Sequence, residues 1–251
     1  MKIGIVNDAT AADRIAAAFS ALDALTVSDV ATSAERSVDA DVDVVVTVGE
    51  RALGAVVVTG ESRPILPLGI SNDSAVDADA SLSAAADTVE RLAARDSVPT
   101  TTHRPLQVAA GDDTTTAVCD CALLTTEPAR ISEYEIHTDG RPLARFRADG
   151  VVAATPLGSA GYGRAAGGPR LAPETGVAVT PVAPFATKAD DWVLSPPLSV
   201  TVERDDDVTV YADSRRFVSG SAGLSVSLAA GAPFSVVDTT ALVPPQQLEK
   251  L

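Results

Sequence analysis

Near residue 100 the hydrophobic period of this 251-residue sequence changes. Before that point, short apolar runs alternate with alanine-rich stretches of helical spacing. From Arg104 to Val237 the segments are short, rich in Val, Thr and Ser, and broken by Gly and Pro. Helices repeat every 3.6 residues and strands every 2, so the first part predicts alternating strands and helices and the second a domain dominated by sheet.

Within the first part, Lys2–Asn7 (KIGIVN) predicts a strand and 10–25 a helix, followed by a possible strand over Leu25–Val30. Val42–Val48 is apolar at nearly every position, as expected of a strand covered on both faces in a parallel sheet. Glu50–Val58 reads as a short helix and Pro64–Ile70 as a strand. Ala78–Arg95 predicts a helix with Leu82, Ala85, Ala86, Val89, Leu92 and Ala93 on one face. Residues 1–99 are therefore expected to form an α/β domain and 100–237 a β-rich one. In the latter, Asp139-Gly140 marks a hairpin between Ser132–Thr138 and Pro142–Arg147. Further strands are expected at Leu198–Val202, Val208–Ala212 and Leu224–Leu228. Residues 238–251 would be a tail or a segment returning to the first domain.

Charge narrows the partners. With 19 Lys+Arg against 34 Asp+Glu the formal net charge is −15, which repels nucleic-acid backbones and anionic membrane surfaces and leaves a small ligand or another protein. Lysine occurs only at Lys2, Lys188 and Lys250, and Asp far outnumbers Glu. That balance resembles the surfaces of proteins from salt-in halophiles, where molar salt screens charge within roughly 3 Å. Cys119 and Cys121 share one strand-like segment and are poorly placed for a mutual disulfide, so they read as reduced structural thiols. Neither a long apolar span nor a charged start with a signal-like apolar stretch is evident, and a cytoplasmic location is expected.

Two segments could carry chemistry. Thr47–Leu53 places Glu50 where an apolar strand gives way to a helix, and ligands gather at the carboxyl ends of parallel strands. An acid in a first helical turn is also favourable by itself. The second segment runs from Phe146 to Pro169. A strand, Val151–Ala154, opens into a loop where Gly158, Gly161 and Gly163 allow close approach, Thr155 and Ser159 offer hydroxyls, and Tyr162 offers a ring. Such a loop suits a nucleotide, or is a plain glycine-rich connection. It is not a Walker loop, since Gly-Lys-Ser/Thr does not occur.

The stretch RADGVVAATPLGSAGYGRAAGGP resembles the signature of the NAD kinase family, with its Arg-Ala-Asp-Gly, Thr-Pro-Thr-Gly-Ser-Thr-Ala-Tyr and Ala-Gly-Gly-Pro elements in order. The resemblance implies an N-terminal α/β Rossmann-like domain followed by a β-rich, sandwich-like domain of NAD-kinase type. It implies phosphoryl transfer from ATP or polyphosphate, with Mg²⁺ arriving with the donor, to the 2′-hydroxyl of NAD. Glu50 would be the base or metal-orienting carboxylate, and Asp149, Thr155, Gly158, Ser159, Ala160 and Tyr162 would line the dinucleotide site. A homo-oligomer is implied as well. Departures accompany the match. The family's Gly-Gly-Asp-Gly-Thr corresponds to Val48-Gly49-Glu50-Arg51-Ala52, its Asn-Glu to Leu124-Thr125, a His to Phe185, and its Asp-Gly-Gln roughly to Asp213-Ser214-Arg215. A paralogue that binds a nucleotide or dinucleotide without catalysis, as sensor or regulatory subunit, is the alternative.

Overall fold

The computed structural model describes residues 1–7, 12–20, 22, 25–32, 38, 41–69, 78–127, 130–186, 189–204 and 207–242. Parts of the elements expected above, including residues 10–11, 70 and 243–251, lie outside them. In chain order the elements are β1 (Lys2–Asn7), α1 (Ala12–Ser20), β2 (Thr26–Thr32), β3 (Val44–Val48), α2 (Glu50–Val58), β4 (Ile65–Leu68), α3 (Ala78–Ala93) and β5 (Thr100–His103). There follow β6 (Leu106–Ala110), β7 (Asp113–Ala117), β8 (Asp120–Thr125), β9 (Ser132–Thr138), β10 (Arg141–Ala154), α4 (Tyr162–Ala165), β11 (Val177–Pro184) and β12 (Trp192–Leu194). Then come β13 (Leu198–Arg204), β14 (Val208–Ala212), β15 (Arg215–Gly220), β16 (Ser225–Ala230) and β17 (Phe234–Val237). The protein is mostly β. It divides into two compact units, Met1–Thr102 with Phe234–Leu251, and His103–Pro233.

The first unit holds a sheet in the order β2-β1-β3-β4-β17-β5. The pairings β1–β2, β1–β3, β3–β4 and β4–β17 are all parallel. Strand β3 explains the run of valines: Val44, Val45, Val46 and Thr47 are all buried, since the strand lies between β1 and β4 with both faces covered. One face, with Ile3, Ile5, Val44, Val46 and Leu66, packs with Ile15 and Phe19 of α1 and Ala85, Val89 and Leu92 of α3. Those helix positions recur at intervals of three and four, the stripe a helix needs to cover a sheet. Strand β17 lies in the stretch that sequence patterning gave to the second domain. Its parallel pairing with β4, Val236 opposite Ile65, carries it into the first unit.

The second unit is built on a sheet ordered β15-β14-β8-β10-β9-β13-β16-β6-β7, with β11 on β10 and β12 on β11. Strand β10 is 14 residues long and changes partners along its length. Arg141–Ala148 pairs with β9, whereas Gly150–Ala154 lies between β8 and β11. The sheet is nearly closed, for Arg215 at the start of β15 donates to the Thr116 carbonyl of β7, at the other end of the strand order, at 3.2 Å. Alternate residues face the interior, among them Leu123, Ile136, Val151, Val200, Val210 and Leu228. Each such side chain contributes about 1.5–3 kcal/mol by leaving water. The hairpin expected at Asp139-Gly140 joins β9 to β10, and both residues have positive φ, 51° and 72°. Two consecutive left-handed residues match the strand twist, and the Asp-Gly pair adopts them at small steric cost.

Candidate functional site

In the second unit the site begins where β10 ends. Ala154 stands opposite Asp120 of β8, and the next residue extends the pairing, the Thr155 N–H donating to the Cys119 carbonyl at 2.9 Å. Thr155 is buried. Its hydroxyl donates to the Val118 carbonyl at 2.7 Å and accepts the Gly158 N–H at 3.3 Å. Gly158 fits only as glycine, because a Cβ there would lie 2.1 Å from the Cys119 carbonyl oxygen and 2.4 Å from its carbon. Ser159, also buried, donates to the Pro156 carbonyl at 2.8 Å and accepts from the Leu171 N–H at 3.0 Å. The hydroxyls expected to face a ligand are thus engaged in holding the loop.

Beyond Ser159, Ala160 is half-buried and the chain turns at Gly161 into α4, whose first residue is Tyr162. Tyr162 is also half-buried. Burial, and then the charges of Asp120 and Asp149, push its phenol above the usual range, so the ring is neutral at pH 7. Gly163 rests on Ala154, where a Cβ would come within 2.9 Å of the alanine methyl. The end of the loop folds back: Gly168 donates its N–H to the Gly163 carbonyl at 2.9 Å, and Arg164 donates to the Gly168 carbonyl at 3.2 Å. A Cβ on Gly168 would lie 2.4 Å from Thr180 Oγ1 on β11. Residues 155–168 therefore form one closed loop seated on β8, β10 and β11. Asp149 is half-buried in β10, and its carbonyl accepts the Thr125 hydroxyl at 3.0 Å.

Two of the departures from the expected signature acquire a structural meaning here. Leu124 fills the space beside Gly150, where a Cβ would meet its side chain at 2.5 Å, and Thr125 is tied to Asp149. Phe185 is 71% exposed. By sequence Asp213 is only part of an altered motif. It is buried, and its carboxylate accepts the N–H groups of Val118, Cys119 and Asp120 at 2.8, 2.7 and 3.2 Å. Burial pushes its carboxyl above the usual range, against the pull of those three donors and of Arg215. Cys119 and Cys121 are both buried. Cys121 lies in the core, where burial raises its pKa well above that of a reactive thiol.

In the first unit, Glu50 is the first residue of α2, half-buried, at the carboxyl end of β3. The preceding Gly49 has φ 85° and ψ 162°, a conformation essentially restricted to glycine, and its N–H donates to the Leu68 carbonyl at 2.8 Å. Gly49, at the N-cap, has no side chain with which to cap the helix. Thr47 and Asn7 are buried at the same end of the sheet, and Thr47 Oγ1 and Asn7 Nδ2 find no hydrogen-bond partner among the described residues. Among the described residues no group of three or more His, Cys, Asp or Glu could hold a metal ion by itself. No helix among them is long and apolar enough to cross a membrane.

Residues 120–236, which include Asp149, the whole loop and Asp213, match the family described as the ATP-NAD kinase C-terminal domain. An NAD kinase of Methanosarcina mazei is 36% identical over 110 residues, 42% of this chain and 38% of that protein. An NAD kinase of Methanopyrus kandleri is 33% identical over 129 residues, 50% of this chain and 47% of that protein. The matches thus span less than half the length of these curated relatives. Among solved structures, an NAD kinase from Archaeoglobus fulgidus in complex with ATP has a TM-score of 0.64 at 20% identity, covering 96% of this chain and 95% of that one. Yeast NADH kinase complexed with NADH has a TM-score of 0.67 at 17% identity, covering 94% and 83%. At such identities the likeness is one of fold. The glycine loop lies in the stretch that resembles the ATP-NAD kinase C-terminal domain, and the resemblance in sequence is to NAD kinases over that part of the chain.

Proposed function

We propose that this protein is an NAD kinase-like enzyme, transferring a phosphoryl group from ATP or polyphosphate to the 2′-hydroxyl of NAD. The observation that carries this is the closed loop 155–168, in which glycine is required at 158 and 168 by contact with neighbouring atoms and which lies within the matched family domain. The first unit is taken as Rossmann-like. Phosphoryl transfer depends mainly on positioning and charge stabilisation. Asp149 accepts from a ligand hydroxyl or amide, and Tyr162 offers its neutral ring. Gly158, Ala160 and the backbone held by Thr155 and Ser159 shape the dinucleotide site.

Glu50 takes the proton of the 2′-hydroxyl or orients the donor's Mg²⁺. Mg²⁺ keeps several waters and commonly needs only one or two protein carboxylates beside the phosphates, so a lone carboxylate suits an ion brought in with the nucleotide. The acidic, lysine-poor composition fits a cytoplasm at high salt, and the protein is expected to form homo-oligomers.

One observation favours the second reading, a binding module without catalysis. Leu124 and Thr125 stand where the family has Asn-Glu and are committed to packing against Gly150 and bonding Asp149. Assay of NADP formation in molar KCl, with ATP or polyphosphate and Mg²⁺, separates the two. In a kinase, Glu50→Gln should leave NAD affinity nearly unchanged and lower turnover by about 10²–10⁴-fold. A parent protein that binds NAD but forms no NADP is the module. Binding of neither NAD nor ATP in calorimetry would sink the nucleotide assignment of the loop.

A further inference from the structure

Asp213 sits with Ser214 in the two-residue turn from β14 to β15, both at positive φ, 48° and 62°. Its carboxylate takes three successive backbone N–H groups, Val118 on Oδ2 and Cys119 and Asp120 on Oδ1, and its own N–H donates to the Asp120 carbonyl at 3.0 Å. On the other side of the same backbone stands Thr155. The Val118 carbonyl, which accepts the Thr155 hydroxyl, and the Cys119 N–H belong to one peptide group. The Cys119 carbonyl, which accepts the Thr155 N–H, and the Asp120 N–H belong to the next. Each peptide group is therefore gripped from both ends, by Asp213 at N–H and by Thr155 at C=O.

A carboxylate bonded to the N–H of an amide polarises it and strengthens its carbonyl as an acceptor. The chain of bonds runs on from Thr155 Oγ1 to the Gly158 N–H, and Gly158 itself lies against the Cys119 carbonyl with no room for a methyl group. A shift of the Cys119 peptide must displace the loop.

We infer that Asp213 is a positioning residue for the loop: it fixes the two peptide groups on which Thr155 and Gly158 rest and so sets the approach of the Gly158–Tyr162 backbone to an adenine nucleotide. The structural half of this stands alone, and the ligand half rests on the nucleotide reading given above. In Asp213→Asn an NH₂ replaces one acceptor oxygen, so at least one of the three N–H groups loses its partner.

The test pairs this variant with Val200→Ala, which leaves a cavity in β13 well away in sequence from the loop, in the salt at which the parent is folded. Amide hydrogen exchange of Asp213→Asn should quicken at Thr155 and Gly158 by about tenfold or more, beyond any change in β9 and β13. Val200→Ala should show the reverse pattern. Calorimetric Kd values for NAD and ATP should rise about tenfold or more in Asp213→Asn and hold in Val200→Ala. If Asp213→Asn does not fold, Thr155→Val removes the hydroxyl that grips the Val118 carbonyl and accepts the Gly158 N–H, while keeping the backbone bond to the Cys119 carbonyl, and should give the same selective exchange at Gly158 and the same loss of affinity. Exchange that rises uniformly over the second unit overturns the positioning role, as does selective exchange with unchanged Kd. A parent that binds neither nucleotide overturns the nucleotide reading instead, and the exchange pattern still decides whether Asp213 holds the loop.

Discussion

Each unit has a turn that leaves a strand end through glycine, and the two turns need glycine for different reasons. At Gly49, after β3, an added Cβ would meet nothing within 4 Å, yet φ is 85° and ψ 162°. The requirement is torsional. At Gly158, after β10, the requirement is spatial, since the Cβ would overlap the backbone carbonyl of Cys119. The obstacle is peptide that Asp213 and Thr155 hold from both sides, so it cannot swing aside as a flexible side chain would. A torsional glycine can be replaced at a bounded cost, whereas a spatial one can be replaced only by moving what it touches.

The largest expected effect follows from that contrast. Gly158→Ala should destabilise the second unit by about 3 kcal/mol or more, the upper range for forced overpacking, and abolish nucleotide binding. Chemical denaturation and calorimetry would check it. A variant that binds as the parent does would show that the Cys119 peptide yields more readily than its hydrogen bonds imply.

Gly49→Ala should cost less, about 1–2 kcal/mol of strain, because the space is open. Gly49→Asn should be no milder, since this conformation lies outside the left-handed helical region that asparagine tolerates. Rescue by asparagine in a denaturation midpoint would mean that the turn relaxes to a different geometry.

The smallest effect concerns the turn that feeds β4. Glu61 accepts the Arg63 side chain at 2.8 and 2.6 Å and its N–H at 2.9 Å, and the Arg63 side-chain bond is the main cause holding its carboxyl below the usual 4.5. A folded-state pKa below the unfolded one gives stability that is complete above about pH 4.5 and is lost as pH falls through the folded value. Glu61→Gln should therefore melt slightly below the parent at pH 7, with the gap closing as the pH is lowered beneath that window. A gap that persists at acid pH would assign the loss to packing instead.

Much of this fold was legible because local spacing suffices to specify an element. The valine run over 44–46 marked a strand covered on both faces, and Asp139-Gly140 marked a hairpin from the left-handed preference of two adjacent residues. The glycine loop was legible as well, since all its parts are contiguous. By sequence Thr155 and Ser159 offer hydroxyls, and in the structure both hydroxyls bond carbonyl and amide groups of the protein. Composition reports that a side chain can form hydrogen bonds but not which partner wins. Asp213 was visible only as a residue in an altered motif, because the groups it holds lie 95 to 93 residues earlier in the chain.

The sequence by itself determined the sequence-local features: the alternation of strand and helix, the switch to short strands near residue 100, the turns, and where glycine is concentrated. These follow from backbone torsions and side-chain periodicity within a few residues. Tertiary structure alone decided that β17 joins the first sheet, that β10 divides its length among three partners, and that Gly158 is irreplaceable. It alone set Asp213 under the loop. Those outcomes depend on which distant backbone groups meet, and buried N–H and C=O groups must find partners somewhere, so the choice belongs to the packed chain as a whole.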